Sequence, residues 1–475
     1  MLFSSVTFLF YFLPLVVMGY FLVPATTAKN LFLLSASLVF YYWGEPWFVL
    51  VMLASIAVNY VAGVLMAEAG ARRRKAIVGS AIAANLVFLG VFKYADFLVA
   101  NLNLLLAPLG WPVPLPEFSL PIGISFFTFQ GISYLIDVYR RHVPAERNPL
   151  NVGLYIAMFP QLIAGPIVRF ETVARQIHER RSTLARSSVG ARIFIIGLAQ
   201  KMLIANEVAL LADSAFASAA PSMLEAWLGL AAYTLQIYFD FAGYSNMAIG
   251  LGIVFGFTFP RNFRLPYRSR SVTEFWRRWH ISLSTWFRDY LYIPLGGNRH
   301  SPARTYINLA TVFLLCGLWH GASWTFVVWG LHHGVLLILE RAWLGRRLRT
   351  LPHWVSRGYA LLAVMAGWVW FRAVDLDHAL RYFRSLAGVN GALSITVDTR
   401  LVIYPTTLAA LLLGAALATR SDRHHRVRRL LGRLPTRWRN HGIALADNAA
   451  TGALLILSLL AVGSGSYNPF LYFRF

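Results

Sequence analysis

Apolar runs long enough for a membrane-crossing helix, roughly 20 residues for about 30 Å of hydrocarbon, recur from residue 3 almost to the end of the chain. They fall near 3 to 23, 30 to 43, 47 to 66, 77 to 98, 121 to 138, 188 to 212, 223 to 257, 355 to 373, 401 to 418 and 448 to 463. The run 306–339 contains no charged residue and would extend about 50 Å as one helix, too long for a single crossing. It must turn, and the glycines at 317 and 321 put the turn between Gly317 and Ala322. Residues 150–168 are apolar but broken by Pro160, Gly165 and Pro166, with basic residues on both sides, which fits a re-entrant segment better than a crossing. The pattern predicts an all-α polytopic membrane protein with about 11–12 transmembrane helices plus re-entrant and interfacial pieces. The first run lacks a basic n-region and a small-residue cleavage site, so it reads as a retained span. The longest polar insertions, about 20 to 30 residues, are too short to pack a core of their own. One integral-membrane domain over 1–475 is therefore expected: N-terminal helices to 138, a central core 139–345, and C-terminal helices 346–475.

Composition agrees, since only 13% of the 475 residues are charged against about 25% in soluble domains. A net charge of +23 would suit nucleic acid, but the arginines gather in short stretches at 72–75, 140–147, 169–186, 261–278, 341–349 and 420–439. That is the positive-inside pattern, with the phospholipid membrane and no nucleic acid as partner. Placing those clusters in the cytoplasm leaves the N- and C-termini outside. Only Lys29, Lys75, Lys93 and Lys201 are lysines, an arginine bias that hints at a G+C-rich bacterial genome. The lone Cys316 excludes an intrachain disulfide and any CxxC metal site, and no metal is expected.

Candidate chemistry lies in two places. His320 sits in the uncharged run, where an ionisable ring is expensive and is kept mainly when it lines a cavity or does chemistry; imidazole also exchanges a proton near neutral pH. A buried hydrogen-bonding role is the other reading. Gly317 and Gly321 permit close backbone approach, and Trp319 and Trp324 offer flat faces to an acyl or thioester group, features of a tunnel wall more than of a packed bundle. Upstream, Ser271, Val272, Thr273 and Glu274 have the spacing of a capping box, which predicts a helix running on to Arg288. On a helical period Phe275, Trp279, Leu283, Trp286 and Tyr290 share one face, and Arg277, His280, Ser284 and Arg288 another. Such a helix is either an interfacial anchor or the wall of a vestibule where Arg277 and Arg278 meet a phosphorylated donor and His280 a reacting group.

Six stretches, PIGISFFTFQ (121–130), FPQLIAGPI (159–167), FDFAGYS (239–245), 275–298, 318–334 and PFLYF (469–473), resemble the membrane-bound O-acyltransferase (MBOAT) superfamily. Within it they are most similar to the bacterial alginate O-acetyltransferase branch. The resemblance implies a ring of helices around a central funnel that reaches His320 as general base, with His280 as the family's second histidine. His333 is the member of the His332–His333 pair more expected to matter, helix packing being the alternative, and Trp319 is a supporting residue. No cofactor is implied beyond acetyl-CoA as acyl donor, entering from the cytoplasmic face against Arg264, Arg268, Arg277 or Arg278. His320 would take the acceptor hydroxyl's proton, and His280 or a backbone amide would stabilise the oxyanion. Acetyl would then pass to a periplasmic SGNH-type acetyltransferase, for an alginate-like exopolysaccharide or a cell-wall glycan, from the bacterial inner membrane. Ala242 and Asn246 stand where many relatives carry Ser and Asp, leaving Asp240 to pair with a cation, polarise a histidine or bond structurally. Cys316 reads as a small hydrophobe. Two rivals remain: a teichoic-acid D-alanyl transferase, and a transporter with broken helices near Pro160 and Gly317. Against the transporter stand the lack of an internal repeat and of paired intramembrane carboxylates.

Overall fold

A computed structural model describes residues 1–419, 436–465 and 467–469. The closing stretch 470–473 and most of the basic cluster 420–439 lie outside them. Among the described residues every regular element is helical, and the chain is an all-α, multi-pass membrane protein. Four stretches, Val49–Glu68, Ala71–Leu109, Leu184–Ala217 and Ala444–Gly463, are by length and composition alone able to cross a membrane. Other expected crossings coincide with helices that are shorter or more polar, among them Ile124–Tyr139, Met223–Val254, Pro302–His320, Trp324–Leu339 and His353–Arg372. Ile124–Tyr139 and Met223–Val254 are mostly buried in protein, whereas the other three keep exposed apolar residues such as Ile307, Val335 and Leu362. Met223–Val254 buries Gln236, Asp240 and Ser245 along with its apolar residues. The cluster at 72–75 is not a loop: it lies in the opening turns of the helix Ala71–Leu89, and Arg74 donates to Met66 O at 3.0 and 2.9 Å, closing the end of the preceding helix.

Small residues set the closest helix pair. A Cβ on Gly197 would sit 2.5 Å from Gly243 O, and one on Gly250 would sit 2.5 Å from Gly190 O. Gly190 thus meets Gly250 and Gly197 meets Gly243, so Leu184–Ala199 and Met223–Val254 run antiparallel with their backbones touching. Dispersion and close approach hold helices together where lipid removes the hydrophobic drive.

The proline-broken stretch folds as two short helices, Pro149–Ala157 and Phe159–Leu162, buried from Asn151 onward. Its irregular backbone finds protein partners: Phe159 N donates to Ser37 Oγ at 3.1 Å and Ile167 N to Ser282 Oγ at 3.0 Å. Non-helical backbone at membrane depth is tolerated only on such terms. The segment packs beside the basic region that carries His280.

Candidate active site

The uncharged run turns where expected. Pro302–His320 and Trp324–Leu339 form a helical hairpin, and His320 is the last residue of its first arm. A Cβ on Gly317 would stand 2.3 Å from Phe326 O, and one on Gly330 would stand 2.3 Å from Phe313 O. Gly317 therefore lets the two arms touch and does not open a tunnel wall. Trp324 is likewise no acyl platform; it is half exposed and its indole N–H donates to Asn101 Oδ1 at 2.9 Å.

Around His320 the side chains form a box of rings. Trp319 and Trp329 each lie 4.8 Å from the imidazole, centre to centre, and Phe371 lies 5.2 Å away. Beyond Trp319 stands His280 at 6.0 Å, and beyond Trp329 stands His333 at 5.1 Å. The predicted residues His280, Trp319, His320 and His333 thus come together in one cluster, alternating imidazole and indole. All are buried. Among the described residues, both nitrogens of His320 and of His333, and Nε2 of His280, have no hydrogen-bond partner, nor do the indole N–H groups of Trp319 and Trp329. Buried polar groups are normally satisfied, so unpaired donors and acceptors converging at one place need a reason. His332 differs: its Nε2 meets Ala363 O at 2.9 Å, a helix-packing bond.

His280 reaches this cluster because the expected helix 271–288 breaks. Ser271 Oγ does accept from Glu274 N at 3.0 Å, but Glu274 bonds back to Arg270 N and not to Ser271 N. The first helix ends at Trp276, and His280 takes a left-handed conformation, φ 42° and ψ 54°, before the second, Ile281–Phe287. Asn262 is the cause. Its backbone O accepts from Ile281 N at 2.9 Å, and its Oδ1 accepts from Ser282 N at 3.2 Å, Ser282 Oγ at 2.8 Å and His280 Nδ1 at 3.1 Å. Side-chain and loop partners outcompete the i→i−4 ladder. The break splits the predicted polar stripe, since Arg277 is exposed while His280 is fully buried. The aromatic stripe of Phe275, Trp279, Leu283, Trp286 and Tyr290 is buried in protein, which overturns the interfacial-anchor reading. Because Ser282 N–H is an obligate donor, the Asn262 atom it meets must be oxygen. His280 Nδ1 is therefore the protonated nitrogen, and Nε2 of the neutral ring carries the lone pair.

Two adjoining cavities, neither of them lined by a ring-box residue, share Thr273, Arg277, Leu309 and Leu337. The inner one, about 600 Å³, is walled by Trp276, Leu283, Phe287, Phe313 and Cys316; the outer, about 810 Å³, is ringed by Arg270, Arg277, Arg341, Arg346 and Arg349. Trp276 carries the inner wall to the ring box, 5.3 Å from His333 and 5.8 Å from Trp329. Of the predicted donor contacts only Arg277 lines the cavities. Arg278 is tied to Glu274 at 2.7 Å, and Arg264 and Arg268 are not among the lining residues. Arg341, Arg346 and Arg349 were legible only as a topogenic cluster, because nothing in the local pattern folds 341–349 against 270–277. Glu340 does that: its carboxylate accepts from Val272 N at 2.6 Å and from Thr273 N at 2.9 Å, capping the first short helix from a distant element.

A family model for the membrane-bound O-acyltransferase family, MBOAT, matches residues 124–373, a span that holds the ring box, the broken helix and both cavities. The chain belongs to the membrane-bound O-acyltransferase family. It is 43% identical to a probable alginate O-acetylase of Azotobacter vinelandii over 100% of both chains. It is 37% identical to a peptidoglycan O-acetyltransferase of Helicobacter pylori over 82% of this chain and 80% of that one. A teichoic acid D-alanyltransferase of Bacillus subtilis is 30% identical over 46% of this chain and 58% of its own. This MBOAT chain is an O-acyltransferase, which sets the transporter reading aside.

Two further predicted positions are settled by geometry. Asp240 lies outside the ring box, ion-paired with Lys201 at 2.7 Å, both nearly inaccessible. Asn246 donates to Gln200 Oε1 at 2.8 Å on the same helix pair. Next to the site on the basic side, Asp289 joins three arginines: Arg169 and Arg288 reach its carboxylate at 2.6 Å, and Arg140 its backbone O at 3.3 Å. Burial pushes the Asp289 carboxyl up, but the hydrogen bonds from Arg288 and Arg169 outweigh it and hold the group below its ordinary range.

Proposed function

We propose that this enzyme moves an acetyl group from a cytoplasmic thioester donor, acetyl-CoA, across the inner membrane for O-acetylation of an alginate-like exopolysaccharide, with His320 as general base. The observation that carries the reading is the buried ring box, where His320 and its neighbours hold unpaired nitrogens and Trp276 links the box to the inner of two adjoining cavities, the outer one ringed by arginine. The arginine ring suits the phosphates of the donor, since guanidinium forks match phosphate oxygens. The apolar inner cavity suits the thioester arm. A His320 nitrogen would take the proton of the attacking hydroxyl as its oxygen bonds to the acyl carbon. When the C–S bond breaks, the imidazolium returns that proton to the departing thiolate. His280, with Nδ1–H fixed on Asn262, offers a second acceptor at Nε2, so the neutral ring suits hydroxyl orientation better than oxyanion binding. The unpaired indole N–H groups of Trp319 and Trp329 are donors for the oxyanion. Acetyl would pass on to a periplasmic SGNH-type acetyltransferase, with the termini on that side.

Full-length similarity to a probable alginate O-acetylase favours acetylation over D-alanyl transfer, whose relative matches less than half of this chain. The test is His320→Ala in a glycan-acetylating host, with membrane abundance measured alongside. O-acetyl groups on the glycan should disappear at unchanged abundance; retained acetylation would end the assignment of His320.

A further inference from the structure

Lys93 lies in an apolar run and has no place in the chemistry above. The helix Ala71–Leu89 continues through a wider π-helical turn, Gly90–Tyr94, into Ala95–Leu106. Such turns add a residue without ending the helix and recur at functional places. Lys93 is 8% exposed, and among the described residues no carboxylate lies within ion-pair distance. Its Nζ donates instead to Trp319 O at 2.5 Å, His320 O at 3.3 Å and Ser125 Oγ at 3.2 Å. Tyr94 OH donates to Leu318 O at 2.7 Å. Adjacent side chains of one turn thus hold three successive carbonyls, those of Leu318, Trp319 and His320, at the end of the His320 helix. A helix leaves its last four carbonyls without internal partners, and a cation suits that negative end. Nζ also stands 5.9 Å over the Trp319 ring, which packs on the imidazole.

We propose that Lys93 is the positioning residue of His320, clamping the carbonyl end of its helix so that the imidazole is held in the ring box. A buried cation without a counter-ion is costly at membrane depth, and a neutral donor would serve stability alone more cheaply. The inference rests on the reading of His320 as the base. Misplacing a reacting group by about 1 Å costs about 100-fold in rate.

The test measures the rate of label incorporation from acetate into the glycan, per molecule of full-length protein in the membrane, for Lys93→Met, Lys93→Gln, Lys93→Arg and His320→Ala. Lys93→Met should lose about 100-fold, and Lys93→Arg, whose guanidinium can donate to the same carbonyls, should recover at least about tenfold of that loss. If Lys93→Met does not accumulate, Lys93→Gln supplies a neutral donor and should still run at least about tenfold slow. Wild-type rates in Lys93→Met or Lys93→Gln, or no recovery in Lys93→Arg, would overturn the clamp while His320→Ala is inactive. An active His320→Ala would instead remove the reading beneath it.

Discussion

Replacing Asn262 by alanine should uncouple His280 from the reaction without touching a reacting group. Its Oδ1 is the shared acceptor for His280 Nδ1, Ser282 N and Ser282 Oγ, at 3.1, 3.2 and 2.8 Å. The Ser282 hydroxyl can turn elsewhere, but its backbone N–H is left buried and unpaired, a cost of about 1–3 kcal/mol. The left-handed His280 then loses its Nδ1 bond, although Ile281 N keeps the Asn262 backbone O, so its strain is less well offset, roughly another 1 kcal/mol, and about 2–4 kcal/mol of stability should go. The imidazole also loses the bond that fixes its proton on Nδ1. General acid–base groups contribute roughly 10²- to 10⁴-fold, so a fall of about 100-fold in acetylation per molecule is expected. Asn262→Asp keeps an oxygen at the same place and the same tautomer, and should retain most of the activity. Both variants would be compared by O-acetyl incorporation into the glycan, normalised to membrane abundance, and by melting in detergent. Wild-type acetylation by Asn262→Ala would refute the reasoning that this bond orients His280.

Two more outcomes follow from the packing and the charge. Gly330→Ala places a Cβ 2.3 Å from Phe313 O and 3.2 Å from Gly317 Cα, so the hairpin must part; a stability loss of about 1–3 kcal/mol by detergent melting is expected, together with reduced acetylation. The Asp289 carboxyl, held below its ordinary range by Arg169 and Arg288, stabilises the folded state fully above about pH 4, the unfolded value, and loses that contribution as pH falls through the lower folded value. The melting difference between wild type and Asp289→Asn should therefore be present at pH 7 and close in acid; a gap that stays constant with pH would contradict it.

Much of the fold was legible because lipid imposes a length and a polarity on every crossing. The turn before Trp324 followed from a run too long for one helix, and the break in 150–168 from Pro160, Gly165 and Pro166. His320 was found as an ionisable ring in an uncharged run. His280 stood out on the helical stripe with Arg277, read either as an interfacial anchor or as a vestibule wall, and the family resemblance favoured it as the second histidine; the continuous stripe itself does not form, because the helix breaks at His280. Lys93 carried the same signal as His320, a lone titratable residue at membrane depth, but its partners lie 226 and 227 positions away.

What the sequence determined by itself were most of the membrane helices, the hairpin turn and the lone ionisable ring at its end, because these follow from local periodicity, proline and glycine geometry, and the cost of charge in hydrocarbon; acyl transfer came from the family resemblance. Only the tertiary structure decided that His280 faces inward through Asn262, that Arg341, Arg346 and Arg349 rather than Arg264 or Arg268 ring the cavity, and that Asp240 belongs to Lys201. Each of those depends on a partner far along the chain, and short-range pattern holds no record of which distant side chain completes a buried bond.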